Sequence, residues 1–224
     1  MAEALRPQDG LYTLITRSPD GDAFELVGAL SAVHAAAEQD AYLDYLSSPD
    51  VAIVTITVTE AAYRRAPDGG LDVNRDVVQR DLDALRSDPR SPVSSLPARL
   101  VAGLLARRSA GAAPLTILSC DNLPENGAVT ETVVRDLAAL LDQSLNHSLT
   151  TWIEANIDFA TSMVDRITPG TTDEDRKLVE EACGYVDAYP VPTEPFNEWV
   201  ISGAFPAGRP RWEEAGVTLV ADVG

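Results

Sequence analysis

Three stretches of this 224-residue chain carry side chains whose types and spacing suit chemistry. The first holds Asn122, Glu125 and Asn126, within Ser119-Cys120-Asp121-Asn122-Leu123-Pro124-Glu125-Asn126-Gly127. An Asn amide in the connection between a buried strand and a helix can donate to a developing oxyanion. The helix N-terminus adds partial positive charge. The same residue types also build an ordinary strand-to-helix turn, and spacing alone favours that simpler reading. The second stretch is Thr57-Val58-Thr59-Glu60, at the end of a β-branched run. Glu60 there suits either a ribose hydroxyl or the cap of the next segment. The third is Asp165, in Met163-Val164-Asp165-Arg166-Ile167. An acid in an apolar strand can accept from a substrate hydroxyl or pair with Arg166 or another Arg, and the pattern favours the ion pair.

Other reactive side chains are scarce. His34 and His147 are the only histidines, and neither has a metal-ligand spacing to Cys, Asp or Glu, so no metal is expected. Cys120 has no histidine near it in sequence and reads as a small packed residue. Among 17 basic residues a single one is lysine, Lys177, so a mechanism needing a lysine has one position to draw on. No Gly-x-Gly-x-x-Gly or Walker-type loop occurs.

The balance of 17 basic against 35 acidic residues gives a net charge of −18. Phosphate backbones and anionic membrane surfaces repel such a chain, so neither nucleic acid nor membrane is an expected partner. No apolar run approaches the ~18–20 residues of a membrane span. Two cysteines form no disulfide framework, and the N-terminus lacks a signal-peptide pattern, so a cytoplasmic protein is expected.

The elements that must position these residues alternate. Strands are expected at 11–16 and 24–30, as a hairpin around Ser18-Pro19-Asp20-Gly21-Asp22, then a helix over 35–46. Val51 to Thr59 reads as a strand buried on both faces. Helices over 72–85 and 96–108 follow, then a buried strand over 114–119 and a helix over 128–141 with Val129, Val133, Leu137, Leu140 and Leu141 on one face. A helix at 151–156, a strand at 163–167, a helix capped by Thr171-Thr172 and short strands at 196–201 and 217–221 complete the pattern. Alternation of this kind predicts a mainly parallel α/β sheet with helices on both faces. Ligands of such sheets bind beyond the carboxyl ends of the strands, where two of the three stretches lie. The Pro/Gly loops are too short for linkers, and a single domain over 1–224 is expected.

These segments resemble the mannitol dehydrogenase family, the polyol-specific long-chain dehydrogenases that include mannitol 2-dehydrogenase and fructuronate reductase. The resemblance rests on Leu118 to Gly127 and continues in order along nearly the whole chain. Gln8-Asp9-Gly10-Leu11-Tyr12-Thr13-Leu14 resembles an early family strand. Thr57-Val58-Thr59-Glu60-Ala61-Ala62-Tyr63 resembles the family's Thr-(Val/Ile)-Thr-Glu-Gly-Gly-Tyr. Met163 to Pro169, Thr193 to Ile201 and Gly208 to Glu213 match as well.

The resemblance implies a zinc-independent, NAD-dependent oxidoreductase acting between a polyol and a keto-sugar, with NADP left open. It implies a Rossmann-like N-terminal domain and a helical catalytic domain. It makes Asn122 the oxyanion-stabilising residue, Asp165 a substrate-side residue, and Thr57, Val58, Thr59 and Glu60 a cofactor-side segment; Asn126, from its place in the turn, is expected on the substrate side as well. Departures from the family pattern are equally specific. The family's glycine-rich loop and first strand have no counterpart here, nor does the acidic residue that selects NAD. The family's catalytic Lys-x4-Asn-x2-His helix would lie beyond Val223. Ala61-Ala62 replaces Gly-Gly, and Ala160-Thr161 stands where relatives often have Pro-Asn. Lys177, amid Asp173, Glu174, Asp175 and Arg176, is not that base. The expectation is therefore a partial dinucleotide-binding domain without its helical catalytic domain, inactive alone, prone to aggregation at open sheet edges, and completed by other parts of its parent chain. The alternative is a non-catalytic remnant or interaction module with a Rossmann-like shape.

Overall fold

Leu115 to Ser119 is fully buried and forms an interior strand of the larger sheet. The structure, a computed structural model, describes residues 1–145 and 148–223, and His147 lies outside them. In chain order the elements are α1 (Ala2–Leu5), β1 (Tyr12–Ser18), β2 (Gly21–Val27), α2 (Gln39–Ser47), β3 (Ile53–Ile56), α3 (Asp76–Ser87) and α4 (Leu96–Ala110). They continue as β4 (Leu115–Ser119), α5 (Asn126–Leu145), α6 (Leu149–Asn156), β5 (Ile157–Asp165), α7 (Asp173–Cys183), β6 (Val191–Thr193), β7 (Glu198–Ser202) and β8 (Thr218–Leu219). The chain divides into two compact units, Met1–Glu38 with Asp165–Glu198, and Gln39–Val164 with Trp199–Gly224.

The smaller unit is built on the expected hairpin. β1 and β2 pair antiparallel from Tyr12↔Val27 to Ser18↔Gly21. Ser18 closes the turn by donating to the Gly21 carbonyl at 2.8 Å. Parallel β6, absent from the sequence expectation, adds to the other edge of β1. Asp187 fastens this sheet by accepting from the Thr13 amide at 2.6 Å and from Gln8 Nε2 at 2.8 Å. α7 begins with a capping box, in which Thr172 accepts from the Asp175 amide and Asp175 accepts from the Thr172 amide.

The larger unit holds a five-stranded sheet in the order β3-β4-β5-β7-β8, with β3/β4, β4/β5 and β7/β8 parallel. Even the fully buried β4 alternates. Leu115 and Ile117 join the main core with Val133, Val134, Leu137 and Val101 from the helices. Leu118 faces a second cluster with Ala160, Ile201 and Phe205, covered by Trp199 and Trp212. The two tryptophan rings stand 5.3 Å apart, and Phe205 meets Trp212 edge-on.

Several boundaries differ from the pattern reading, each for a local reason. β3 stops at Ile56 because β4 ends at Ser119 and the ladder's last bond, Cys120 amide to Ile56 carbonyl at 2.7 Å, has then been made. Thr55 of β3 is exposed, so this strand is not buried on both faces. α3 starts four residues late because Asp72 serves a turn, accepting from the Asn74 amide. β5 starts at Ile157, six residues earlier than expected. Asn156 ends α6 with no Gly or Pro, so the sequence offers no break there. Asp165 is consequently the last residue of its strand.

Among the described residues no helix is long and apolar enough to cross a membrane.

Candidate active site

At the carboxyl ends of β4 and β5 the larger unit forms a cleft of about 260 Å³. It is lined by Asp121, Asn122, Leu123, Pro124, Glu125 and the strand residues Thr161 to Met163, with Val223. Geometry follows from how β4 turns into α5. Glu125 takes a left-handed backbone (φ 51°), a conformation that a residue with a side chain adopts at a cost, and this lets α5 start abruptly at Asn126. Gly127 lets the helix then lie against β5. A Cβ on Gly127 would come within 2.8 Å of the Ala160 backbone and 2.6 Å of Thr161 Oγ1. Close helix–strand approach of this kind requires glycine.

Asn122 is exposed on the cleft wall, and its side chain makes no hydrogen bond among the described residues. Its amide therefore points no donor at protein, just ahead of the 20-residue helix α5. Asn126, four residues on, is arranged differently. It is fully buried. Its Nδ2 donates to the Asp121 carbonyl at 3.0 Å and the Ser162 carbonyl at 2.8 Å, and its Oδ1 accepts from the Ser162 amide at 3.1 Å. Its amide is fully engaged by backbone, so it joins the β4 exit to β5 and does not line the cleft. Ser162 adds a second tie, donating from Oγ to the Ser119 carbonyl at 2.6 Å.

The Thr57–Glu60 segment leaves β3 at the same ends of the sheet. Thr57, Thr59 and Glu60 are exposed, while Val58 packs on the core. Glu60 opens a single 3-10 turn that ends at Tyr63. Tyr63 is fully buried and its hydroxyl donates to Asp121 Oδ2. Burial, reinforced by that bond, pushes the Tyr63 hydroxyl up to about 12. Neither Tyr63 nor Asp121 was a site candidate by sequence. The one signal for Tyr63 was its place closing the Thr57–Tyr63 motif.

Asp165 is exposed at the end of β5 and makes no ion pair among the described residues. Arg166 donates instead to the Glu194 carbonyl at 3.4 Å. Cys120 is half-buried, and burial pushes its thiol up to about 11, so it is protonated at neutral pH and unsuited to nucleophilic attack. His34 lies within 3.3 Å of Glu38 in the smaller unit. Lys177 is exposed on α7. Among the described residues no group of three or more His, Cys, Asp or Glu side chains is arranged to hold a metal ion.

Comparison with known proteins agrees with this architecture. The family model of the mannitol dehydrogenase Rossmann domain matches residues 1–214. The chain is 41% identical over 224 residues to the mannitol 2-dehydrogenase of Cereibacter sphaeroides, covering all of this chain and 45% of that protein. It is 37% identical to the mannitol 2-dehydrogenase of Pyrenophora tritici-repentis, covering all of this chain and 38% of that protein. Among solved structures it is similar to Pseudomonas fluorescens mannitol 2-dehydrogenase in a ternary complex with NAD and D-mannitol. The TM-score there is 0.87 at 36% identity, over 99% of this chain and 44% of that one. A substrate-free D-sorbitol dehydrogenase gives a TM-score of 0.88 at 36% identity, over 99% of this chain and 45% of that one. The chain thus spans less than half the length of each. On its motifs, its parallel sheet and these matches, the chain belongs to the mannitol dehydrogenase family, through that family's Rossmann domain.

Proposed function

We propose that this chain supplies the cofactor-domain part of an NAD-dependent oxidoreductase that interconverts a polyol and a keto-sugar. We further propose that the 224 residues do not turn substrate over by themselves. The observation that carries the first statement is Asn122, an amide without a partner among the described residues, at the carboxyl ends of parallel strands. That is where α/β sheets bind ligands, and where an oxyanion donor must stand. Support for the cofactor comes from the neighbour whose structure holds NAD and D-mannitol.

The residues present fit part of a dinucleotide. A cleft of about 260 Å³ is smaller than the roughly 300–1,000 Å³ of sites enclosing a drug-sized ligand. NAD, when bound, supplies the hydride acceptor. The chain's own residues do the rest of what this part contributes. Asn122 donates to the oxygen at the carbon undergoing oxidation, stabilising negative charge there. Thr57, Thr59 and Glu60 offer exposed hydroxyls and a carboxylate to cofactor hydroxyls, and Val58 anchors them to the core. Asn126 acts by holding the turn. Asp165 is assigned to a substrate hydroxyl through the family motif. The proton released with the hydride needs a base. Among the described residues the cleft walls hold two titratable groups, Asp121 and Glu125, and the single lysine lies on α7.

Incubation of the purified chain with NAD and D-mannitol, sorbitol or arabinitol, and with NADH and fructose or fructuronate, checks this reading through NADH absorbance. The expected trace is flat. Turnover above the no-enzyme blank contradicts the second statement and requires a base within these residues.

A further inference from the structure

Asn122 is aimed into the cleft with nothing gripping its amide, so its direction has to be set through the backbone that carries it. The residue before it is held at two points. The Asp121 carbonyl, part of the peptide group joining 121 to 122, accepts from Asn126 Nδ2 at 3.0 Å. Asp121 is buried (6% exposed), and the one donor to its carboxylate among the described residues is the Tyr63 hydroxyl. Its other oxygen, Oδ1, is buried with no partner among the described residues. Tyr63 has no exposure at all, and Thr130 Oγ1 lies 3.5 Å from its hydroxyl and 2.7 Å from Ser119 Oγ.

A buried carboxylate that depends on one neutral donor is an uneconomical way to make a turn, since an apolar residue of similar shape would cost less. Its location explains the arrangement. Tyr63 closes the segment leaving β3, and Asp121 opens the segment leaving β4. Their bond ties the cofactor-side stretch to the peptide that projects Asn122. We propose that Tyr63 and Asp121 are positioning residues for Asn122, the buried hydroxyl–carboxylate bond fixing the backbone from which its amide reaches into the cleft. This rests on the reading of Asn122 as an oxyanion donor.

The test is nuclear magnetic resonance on the 224-residue chain. The reporter is the Asn122 side-chain amide, assigned by its loss in Asn122→Ala. Its mobility is followed by the heteronuclear Overhauser effect and compared with that of the Asn74 amide in the α3 approach. Tyr63→Phe removes the hydroxyl alone, Asp121→Ala removes the carboxylate, and Asp121→Asn keeps an acceptor for the tyrosine. Leu100→Ala, on the buried face of α4, serves as a control that is destabilised away from the cleft. The proposal expects the Asn122 amide to shift and become as mobile as that of Asn74 in Tyr63→Phe and Asp121→Ala. Asp121→Asn should restore the parental signature, and Leu100→Ala should leave it unchanged. An Asn122 amide in Tyr63→Phe indistinguishable from that in Leu100→Ala overturns the proposal. Should neither cleft variant fold, the parental chain decides: an Asn122 amide already as mobile there as that of Asn74 overturns it too. Failure of the oxyanion reading shows separately, as an Asn122 amide indifferent to added NADH and fructose, whatever its mobility.

Discussion

Two buried charges sit at opposite ends of the same strands, and they are treated in opposite ways. Arg107, in the last turn of α4, is fully buried at the amino ends of β3 and β4. Its guanidinium reaches five carbonyls: Ala113 at 2.7 Å, Leu46 and Val51 at 2.9 Å, Ser48 at 3.1 Å and Pro114 at 3.3 Å. A guanidinium has five N–H donors, so each has an acceptor. Asp121, at the carboxyl ends, has one donor and one orphan oxygen among the described residues. A fully satisfied buried charge locks chain segments together. A half-satisfied one is costly and is retained where something other than stability is being selected. The comparison separates the end of the sheet that holds the fold from the end proposed to do chemistry.

Breaking the satisfied end should have the largest effect. Arg107→Met leaves five buried or half-buried carbonyls without their donor and is expected to lower unfolding free energy by about 3–5 kcal/mol. Urea titration measures this, and a loss under about 1 kcal/mol would mean the carbonyls find water. Tyr63→Phe should cost less, about 1–3 kcal/mol, because one bond is removed and one carboxylate orphaned. It carries a pH signature as well. The Tyr63 hydroxyl ionises ordinarily near 10 and is raised to about 12 in the fold. Its contribution is therefore complete below pH 10 and lost as pH rises from 10 toward 12. Parental stability should fall over that window more steeply than that of Tyr63→Phe, and parallel curves would remove Tyr63 as the source. Asn122→Ala should change stability by no more than about 0.5 kcal/mol, as for an exposed residue without a partner. A larger loss would show that Asn122 serves the fold.

Much of the candidate site was legible in the sequence. Pro114 to Ser119 followed by a polar turn and an apolar periodic helix predicts both β4 and α5, and so where Asn122 must stand. The resemblance assigned its role. Asn126 was legible as a residue of that turn, though its type gave no sign that its amide would be fully engaged by the Asp121 and Ser162 backbone. Tyr63 and Asp121 are 58 residues apart, and no local pattern pairs them. Arg107 reads in sequence as one of two arginines at a helix end, a position normally solvated. What buries it is the meeting of the α2 end with the starts of β3 and β4, a tertiary fact. The start of β5 was missed because Asn156 passes from helix to strand without a breaker. Asp158, just inside that strand, also gave no signal of its task. It accepts from the Ala204 and Phe205 amides at 3.0 and 3.1 Å and anchors the turn that places Phe205 in the second core cluster.

The central claim is that the carboxyl ends of β3, β4 and β5 form the ligand-binding end of a dinucleotide domain. Titrating the ¹⁵N-labelled chain with NADH, and following every backbone and Asn side-chain amide, tests it most directly. The account predicts that the largest shifts fall on Thr57 to Glu60, Asn122 to Glu125 and Thr161 to Met163. It also predicts that amides around Arg107, at the opposite end of the strands, stay still. Shifts spread over the surface, or concentrated at the Arg107 end, would contradict it.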